Sequence, residues 1–390
     1  MSKTKIYLKT GAVLFFICII LAGCSTYPPK PTSVKPTGHV EDKSSRMVYG
    51  WLKSLQMPNG LLESAEDSNF VSTYDNSLAA IAFSYKGDFE KAEKILDFFS
   101  KNLETEMKQS PGGFSQARDK EGVPLGGRPH RWLGDNAWLL IAINNYHHLA
   151  GNNKYKELAA SLEAWMRSLQ DESDGGLWSG FDKDGKRIGK ATEGIIDAFN
   201  GVSGYDSFHK RILEYLKTAK YWDPEEKTLL AWKENPKYKY ALDLHSWGYC
   251  AFPNMPRIVL EQADRYRTTK IAAVNNKNIT GFCFEPDIDN VWLEGTGEMV
   301  VAYRTAGMDF MVEYYLRELE KMIVPSKKNG NIGGLPYATN RETGYMGDVL
   351  WEGADVNPCI SSSAWYLLGK WGFDPMALGR NKNIPSRDLF

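Results

Sequence analysis

The chain has 390 residues, of which 43% are hydrophobic, and its 47 basic and 48 acidic side chains give a formal net charge of −1. This balance, without a basic patch, argues against a nucleic-acid-binding protein. Three cysteines, Cys250, Cys283 and Cys359, lie outside the N-terminal segment and allow at most one disulfide, so no disulfide framework is predicted. They are widely separated, and no CxxC or HExxH spacing occurs, so no zinc site is predicted.

The N-terminus has the order of a signal peptide. Three lysines precede an apolar run over residues 11–22, which is too short to span a bilayer comfortably. Gly23 and Cys24 follow, and a small residue before a cysteine is what a lipoprotein signal peptidase requires. We therefore predict a signal peptide over residues 1–23 and an exported lipoprotein with a fatty acid such as palmitate on Cys24. This would lie on the outer membrane of a Gram-negative cell or on the cell surface otherwise, and an uncleaved anchor is the alternative.

Residues 24–44 are rich in Pro, Ser, Thr and Lys, a composition typical of an extended tether. The remainder, residues 45–390, is long enough for one large domain or two ordinary ones. We predict a single domain over this range, because one pattern recurs throughout it.

The pattern is a polar or acidic start followed by a segment that is apolar on all sides. A helix of this kind must be buried on every face. The six copies lie roughly 50 to 65 residues apart, a spacing that indicates a repeat architecture. They begin at Tyr74, Gly134, Thr192, Leu242, Leu293 and Ile360.

Amphipathic segments follow most of these copies, and Gly-rich aromatic segments precede several of them. The amphipathic segments span residues 89–102, 154–169, 207–219 and 310–322. Six buried helices, each with an amphipathic partner, predict an all-α protein with one (α/α)6 toroid of six inner and six outer helices. Short β-hairpins or turns would join the repeats, and a flat solenoid of helix pairs is the alternative.

The acids near the inner-helix starts are the candidate catalytic residues. Inner helices of a toroid run parallel, so their N-termini meet at one end of the ring, which we call the mouth. The acids predicted to meet there are Asp75, Asp135, Glu193, Asp243 and Glu294. For Asp75 and Asp135 the alternative is a plain N-cap.

The candidate substrate-binding residues accompany these acids in the chain. They are Tyr74, Arg131, Trp138, His245, Trp247, Trp292, Trp351 and Glu352. Aromatic rings stack on the C–H faces of sugars, and two carboxyl groups attend one glycosidic bond. Each tryptophan has the alternative of core packing, and His245 that of a core histidine. Arg131, together with Arg128, is predicted to pair with a carboxylate-bearing sugar, and a surface charge is its alternative.

Gly134-Asp135-Asn136-Ala137-Trp138 resembles the inner-helix starts of toroidal mannanases, unsaturated glucuronyl hydrolases and sugar epimerases. Together with the six acid-bearing helices, it makes the chain similar to the six-hairpin glycosidase superfamily from about Ser45 to Gly372. The resemblance implies action on glycans, with Asp135 as a catalytic or substrate-holding acid. The paired aspartates of the mannanases and the histidine set of the epimerases are absent from the sequence, so no subfamily is assigned.

These observations predict a lipid-anchored glycoside hydrolase that acts on a poly- or oligosaccharide without a cofactor or a metal. Its partners would be the carbohydrate and the membrane. A polysaccharide lyase, a sugar epimerase and a non-catalytic glycan-binding or assembly lipoprotein are the alternatives. Asp287 and Asp289 are interpreted as a solvated turn in preference to a calcium site. Terpene cyclases share the toroid, but their DxDD run is absent.

Overall fold

Helices alternate with short two-stranded sheets throughout residues 42–125, 130–344 and 348–388, the parts of the chain that the computed structural model describes. The predicted signal peptide, the lipidation residue Cys24 and Arg128 lie outside these ranges. The first helix begins at Lys43, inside the predicted tether, and Asp42 caps it by accepting a hydrogen bond from the Ser45 amide. Among the described helices, none has the length and apolarity needed to cross a bilayer.

Six inner helices form a closed ring. Each contacts the next in chain order, and the last contacts the first. Nearly every face of these helices is buried, as their uniformly apolar sequences predict. They are α2 (Thr73–Lys86), α4 (Leu133–Ala150), α6 (Thr192–Gly201), α8 (Asp243–Ala251), α10 (Leu293–Thr305) and α12 (Ile360–Trp371).

Six outer helices surround this ring, each packed on an inner helix, so the predicted (α/α)6 toroid is confirmed. They are α1 (Lys43–Ser54), α3 (Phe89–Lys101), α5 (Lys156–Ser168), α7 (Ser207–Thr218), α9 (Ile258–Gln262) and α11 (Asp309–Glu320). The first of them packs on α12, whereas the other five pack on the inner helix that precedes them. Helix α9 is short because Pro253 and Pro256 prevent an earlier start.

Five two-stranded antiparallel sheets connect the repeats. The pairs are β1 (Val71–Ser72) with β2 (Ala117–Arg118), β3 (Arg131–Trp132) with β4 (Gly180–Phe181), β5 (Trp222–Asp223) with β6 (Thr228–Leu229), β7 (Arg267–Ile271) with β8 (Asn278–Phe282), and β9 (Val324–Pro325) with β10 (Gly333–Gly334). Strands β1 and β3 run directly into α2 and α4. Gly180 pairs with Trp132 at φ +107°, where a Cβ atom would lie 1.8 Å from the Arg131 carbonyl oxygen, so only glycine fits.

The C-terminal ends of the inner helices, which we call the far end, are closed by residues 374–382 and their helix α13 (Ala377–Arg380). Asn145 of α4 donates to the Pro375 carbonyl at 2.9 Å, and Asn200 of α6 donates to the Met376 carbonyl at the same distance. The Met376 side chain is fully buried. The C-terminal segment therefore covers the far end, and it is held there by these two hydrogen bonds and by the buried Met376 side chain.

Candidate active site

A cavity of about 1250 Å³ lies at the mouth, where the N-terminal ends of the inner helices meet. Acidic side chains from four different repeats face it, although they are far apart in sequence. The inner-helix acids that line it are Asp75, Asp135, Glu193, Asp197 and Glu294. The parallel arrangement of the inner helices therefore assembles a carboxyl cluster, with four of the five predicted catalytic acids in it.

Two asparagines orient the first two of these acids. The side-chain oxygen of Asn76 accepts from the Leu62 amide at 2.9 Å, and that of Asn136 accepts from the Phe114 amide at 2.8 Å. Each asparagine thus binds its inner helix to the preceding loop, and the adjacent aspartate faces the cavity. Asp75 and Asp135 lie within the first turn, after N-cap positions 72 and 132, so neither is an N-cap.

Burial governs the protonation of the lining acids. It raises the pKa of Asp75 to about 7, and burial together with the nearby charge of Asp75 raises that of Asp135 to about 7 and that of Glu294 to about 8. Burial also raises the pKa of Glu193 to about 7, although the Tyr238 hydroxyl donates a hydrogen bond to this carboxylate. Near neutral pH the cavity therefore holds both protonated and ionised carboxyl groups, the combination that acid–base chemistry requires.

A second layer of acids lies deeper than the first. Asp197 and Glu298 follow Glu193 and Glu294 by one helical turn, and Asp243 begins α8. All three are at most 1% exposed, and burial raises their pKa values well above the ordinary range. The carboxyl groups of Asp243 and Glu193 are hydrogen bonded to each other.

Asp243, predicted as a catalytic residue at the mouth, does not line the cavity. Its side chain is fully buried. Burial is the main cause of its raised pKa, and the charge of Glu193 raises the pKa further.

Aromatic rings form the floor and one side of the cavity. Tyr74 meets Trp138 edge to face with ring centroids 5.5 Å apart, and Trp138 lies 5.4 Å from Trp247. At the rim, Trp351 is 47% exposed and packs against Tyr337 at 4.5 Å. The predicted substrate-binding residues that line the cavity are Tyr74, Trp138, Trp247, Trp292, Trp351 and Glu352.

Arg131 and His245 do not line the cavity. Side chains alternate along a strand, so Arg131 points away from Trp132, which does face the cavity. Its guanidinium donates to the Gly113 carbonyl and lies 3.8 Å from Glu106. Arg131, which was predicted to pair with a sugar carboxylate, therefore contacts groups inside the protein.

His245 is a core histidine. Its Nδ1 lies 2.7 Å from the Val259 carbonyl oxygen, and its ring meets Tyr266 edge to face. Complete burial lowers its pKa to about 4, so the imidazole is neutral at physiological pH. A direct role in binding substrate does not follow from this position.

Two of the lining residues that were not predicted are Asp197 and Tyr238. Asp197 interrupts an otherwise apolar helix four residues after Glu193, and this interruption was a usable indication of function. Tyr238 comes from the long segment between α7 and α8, whose sequence shows no periodicity that would place it. This segment also contributes Trp232 to the cavity wall.

A separate polar cluster lies outside the cavity. Cys283, Asp287 and Asp289 each offer one potential metal-ligand atom, and these three atoms lie within 4.8 Å of one another. The Thr343 hydroxyl donates to Asp287 at 3.0 Å and also to Asp289, and its backbone amide donates to Asp289 at 3.0 Å. The two aspartates thus belong to a hydrogen-bonded turn.

No protein-family model and no curated protein matches the sequence. Solved structures do match. A glycosidase variant has a TM-score of 0.60 at 12% identity over 86% of this chain and 96% of that chain. A sugar epimerase from a ruminal bacterium has a TM-score of 0.57 at 12% identity over 85% and 98%. An α-amylase from Clostridium perfringens has a TM-score of 0.58 at 12% identity over 85% and 98%.

These likenesses show the fold that the resemblance implied, the (α/α)6 toroid of the six-hairpin glycosidase superfamily. Solved members with this fold carry several different activities, so the fold does not select one. The activity must therefore be inferred from the side chains that line the cavity.

Proposed function

We propose that this toroid, with the fold of the six-hairpin glycosidases, is a glycoside hydrolase acting on a poly- or oligosaccharide. The observation that supports this most strongly is the cavity at the mouth, where carboxyl groups of mixed protonation face aromatic rings. Rings bind the apolar faces of a sugar, and carboxyl groups bind its hydroxyls and cleave its glycosidic bond. One of the fold neighbours was solved in complex with glucose, which supports a carbohydrate ligand.

Glu294 is the proposed general acid. It is 5% exposed, and its pKa of about 8 keeps it protonated at neutral pH. In this role it donates its proton to the glycosidic oxygen as the bond from that oxygen to the anomeric carbon breaks.

Asp135 is the proposed ionised partner. Its own backbone amide, that of Tyr74 and the Gln116 side chain favour the charged form and partly oppose the effect of burial. Its place in the first turn of α4 adds the positive end of the helix dipole. The carboxylate stabilises positive charge developing on the sugar and accepts a proton from the water molecule whose hydroxyl group adds to the anomeric carbon.

Release of new reducing ends from a panel of neutral, amino and acidic glycans tests this proposal. We expect Asp135→Asn and Glu294→Gln each to lower the rate by roughly 10²- to 10⁴-fold. Asp374→Asn, a matched removal of a carboxylate at the far end, should leave the rate per folded molecule unchanged. Wild-type rates in both mouth variants would contradict the assignment, and an unsaturated, ultraviolet-absorbing product would indicate a lyase.

We also propose that the enzyme is exported and anchored through lipid on Cys24. The order of lysines, apolar run, Gly23 and Cys24 supports this. Labelled palmitate should enter the wild-type protein in bacterial cells and should not enter Cys24→Ala. Equal labelling of the two, or membrane association that is independent of Cys24, would overturn the anchor.

A further inference from the structure

The charge of the cavity is strongly one-sided. Eight acidic side chains line it: Glu66, Asp67, Asp75, Asp135, Glu193, Asp197, Glu294 and Glu352. Among the described lining residues, the only lysine or arginine is Lys327, whose ammonium group donates to Asn357 at 2.9 Å. A negatively charged sugar entering this cavity would meet like charges from several directions.

Asp197 stands out within this set. It lines the cavity, it is only 1% exposed, and its Oδ1 atom has no hydrogen-bond partner among the described residues. Its other oxygen, Oδ2, lies against Gly134, where an added Cβ atom would approach to 3.2 Å. A buried carboxyl group without donors keeps its proton, so this position is suited to a donor that arrives with the ligand and takes the place of that proton.

The surroundings of Asp197 favour a cationic donor over a hydroxyl. Asp135 and Glu193 are close enough for their charges to act on it, and the Trp138 indole is adjacent. An ammonium group offers three N–H donors and a positive charge, whereas a hydroxyl offers one donor.

We propose that the cavity binds a sugar residue bearing a free primary amine, with the Asp197 carboxylate as the partner of the ammonium group. This inference rests on the proposed function, because it names the substrate class of the same site. It separates amino sugars from their N-acetylated forms, which have neither the charge nor the three donors, and from uronates, whose charge has the wrong sign.

Binding to the intact protein carrying Glu294→Gln, which blocks turnover, tests the inference by calorimetry. The probes are glucosamine and galactosamine, their N-acetylated forms, glucose and glucuronate. We expect the better amine to bind at least roughly 10-fold more tightly than its N-acetylated form, and glucuronate to bind most weakly. Equal affinities for the amine and its N-acetylated form would overturn the proposal.

Two further variants test whether Asp197 is responsible for the tighter binding of the amine. Adding Asp197→Asn should lower the affinity for the amine by roughly 10-fold and leave that for the N-acetylated sugar unchanged. Adding Gly134→Ala, which presses a methyl group toward Oδ2, should act in the same direction without removing the carboxylate. Asp374→Asn is the matched control, and full affinity for the amine in Asp197→Asn would overturn the assignment.

The two proposals fail in different ways. If neutral glycans are hydrolysed in a manner that depends on Asp135 and the amine is not preferred, the inference about the amine is wrong and the hydrolase stands. If the amine is preferred but no glycan on the panel is cleaved, the hydrolase is wrong and the amine site stands.

Discussion

The two ends of the inner-helix ring treat their polar groups in opposite ways. At the far end, Asn145 and Asn200 each donate to a carbonyl of the C-terminal segment, and Thr305 donates to Asp374 at 3.3 Å. At the mouth, the Oδ1 atom of Asp197 has no hydrogen-bond partner among the described residues. Buried polar groups are normally hydrogen bonded, so Asp197 departs from this rule, whereas these three groups of the far end follow it.

This difference indicates that the far end contributes stability and that the mouth is available for chemistry. The far end is completed by the chain itself, whereas the mouth is completed only when a ligand supplies donors. Functional sites are often less stable than the rest of a protein for this reason. Substitutions at the far end should therefore lower stability without changing the site, and substitutions at the mouth should do the opposite.

The largest expected loss of stability comes from Met376→Ala. The side chain is fully buried against the inner helices, so its removal should lower the free energy of unfolding by about 2–5 kcal/mol. Denaturant titration measures this, and hydrolysis per folded molecule should be unchanged. Met311→Ala, at a partly buried position on α11, should have a smaller effect. An unchanged midpoint for Met376→Ala would show that the far end does not contribute stability.

The pH dependence of stability sharpens the same comparison. Burial raises the pKa of Asp75 from its ordinary 3.8 to about 7, so the folded state holds a proton that the unfolded state releases. Stability should therefore fall as pH rises from about 4 to about 7, by up to about 4 kcal/mol from this group. Asp75→Asn should flatten that slope in unfolding measured across this range.

Asp374 at the far end provides the control for this slope. Burial raises its pKa to only about 6, since the Met376 amide and the Thr305 hydroxyl favour its charged form. Asp374→Asn should flatten the slope less than Asp75→Asn does. The reverse order would contradict the difference between the two ends.

Helix α6 allows the comparison to be made within one element. Asn200→Ala at its far end removes one of the two donors to the Met376 carbonyl, which keeps the Arg380 amide, and should lower stability by about 0.5–1.5 kcal/mol. Asp197→Asn, in the middle of the same helix and facing the mouth, should leave stability unchanged or raise it, because the variant removes a buried carboxyl oxygen without a partner among the described residues. Thermal unfolding of both variants at pH 8 compares their stabilities. Equal destabilisation by the two variants would contradict the difference between the two ends of the ring.

The smallest expected effect comes from Trp351→Ala at the rim. The ring is half-exposed, so stability should change by less than about 0.5 kcal/mol. Loss of a stacking surface should weaken binding of an oligosaccharide by about 1 kcal/mol, close to 5-fold, and leave binding of a monosaccharide unaltered. Calorimetry with both ligands measures this, and an equal loss for the two would place Trp351 inside the deeper part of the site.

Much of the architecture follows from the sequence because the six inner helices are apolar on every face. Their starts, including those at Thr192 and Ile360, coincide with the predicted segments within one residue. The sequence also places Asp75, Asp135, Glu193 and Glu294 at one mouth, since parallel helices bring equivalent positions together.

The remaining details depend on side-chain direction, which spacing along the chain does not determine. Arg131 and Trp132 are adjacent, yet strand alternation sends only the tryptophan to the cavity. Asp243 begins an inner helix like the other acids, yet it is packed beneath Glu193. Tyr238 lies in an irregular segment, where neither helical nor strand periodicity predicts a position.

In the proposed hydrolase, the mouth is the entrance that the described residues provide, since none of the residues that close the far end lines the cavity. Substrate would therefore arrive, and the cleaved fragment would leave, by the same route. Departing product and incoming substrate would share one passage, so product should inhibit in competition with substrate, in proportion to its affinity for the cavity.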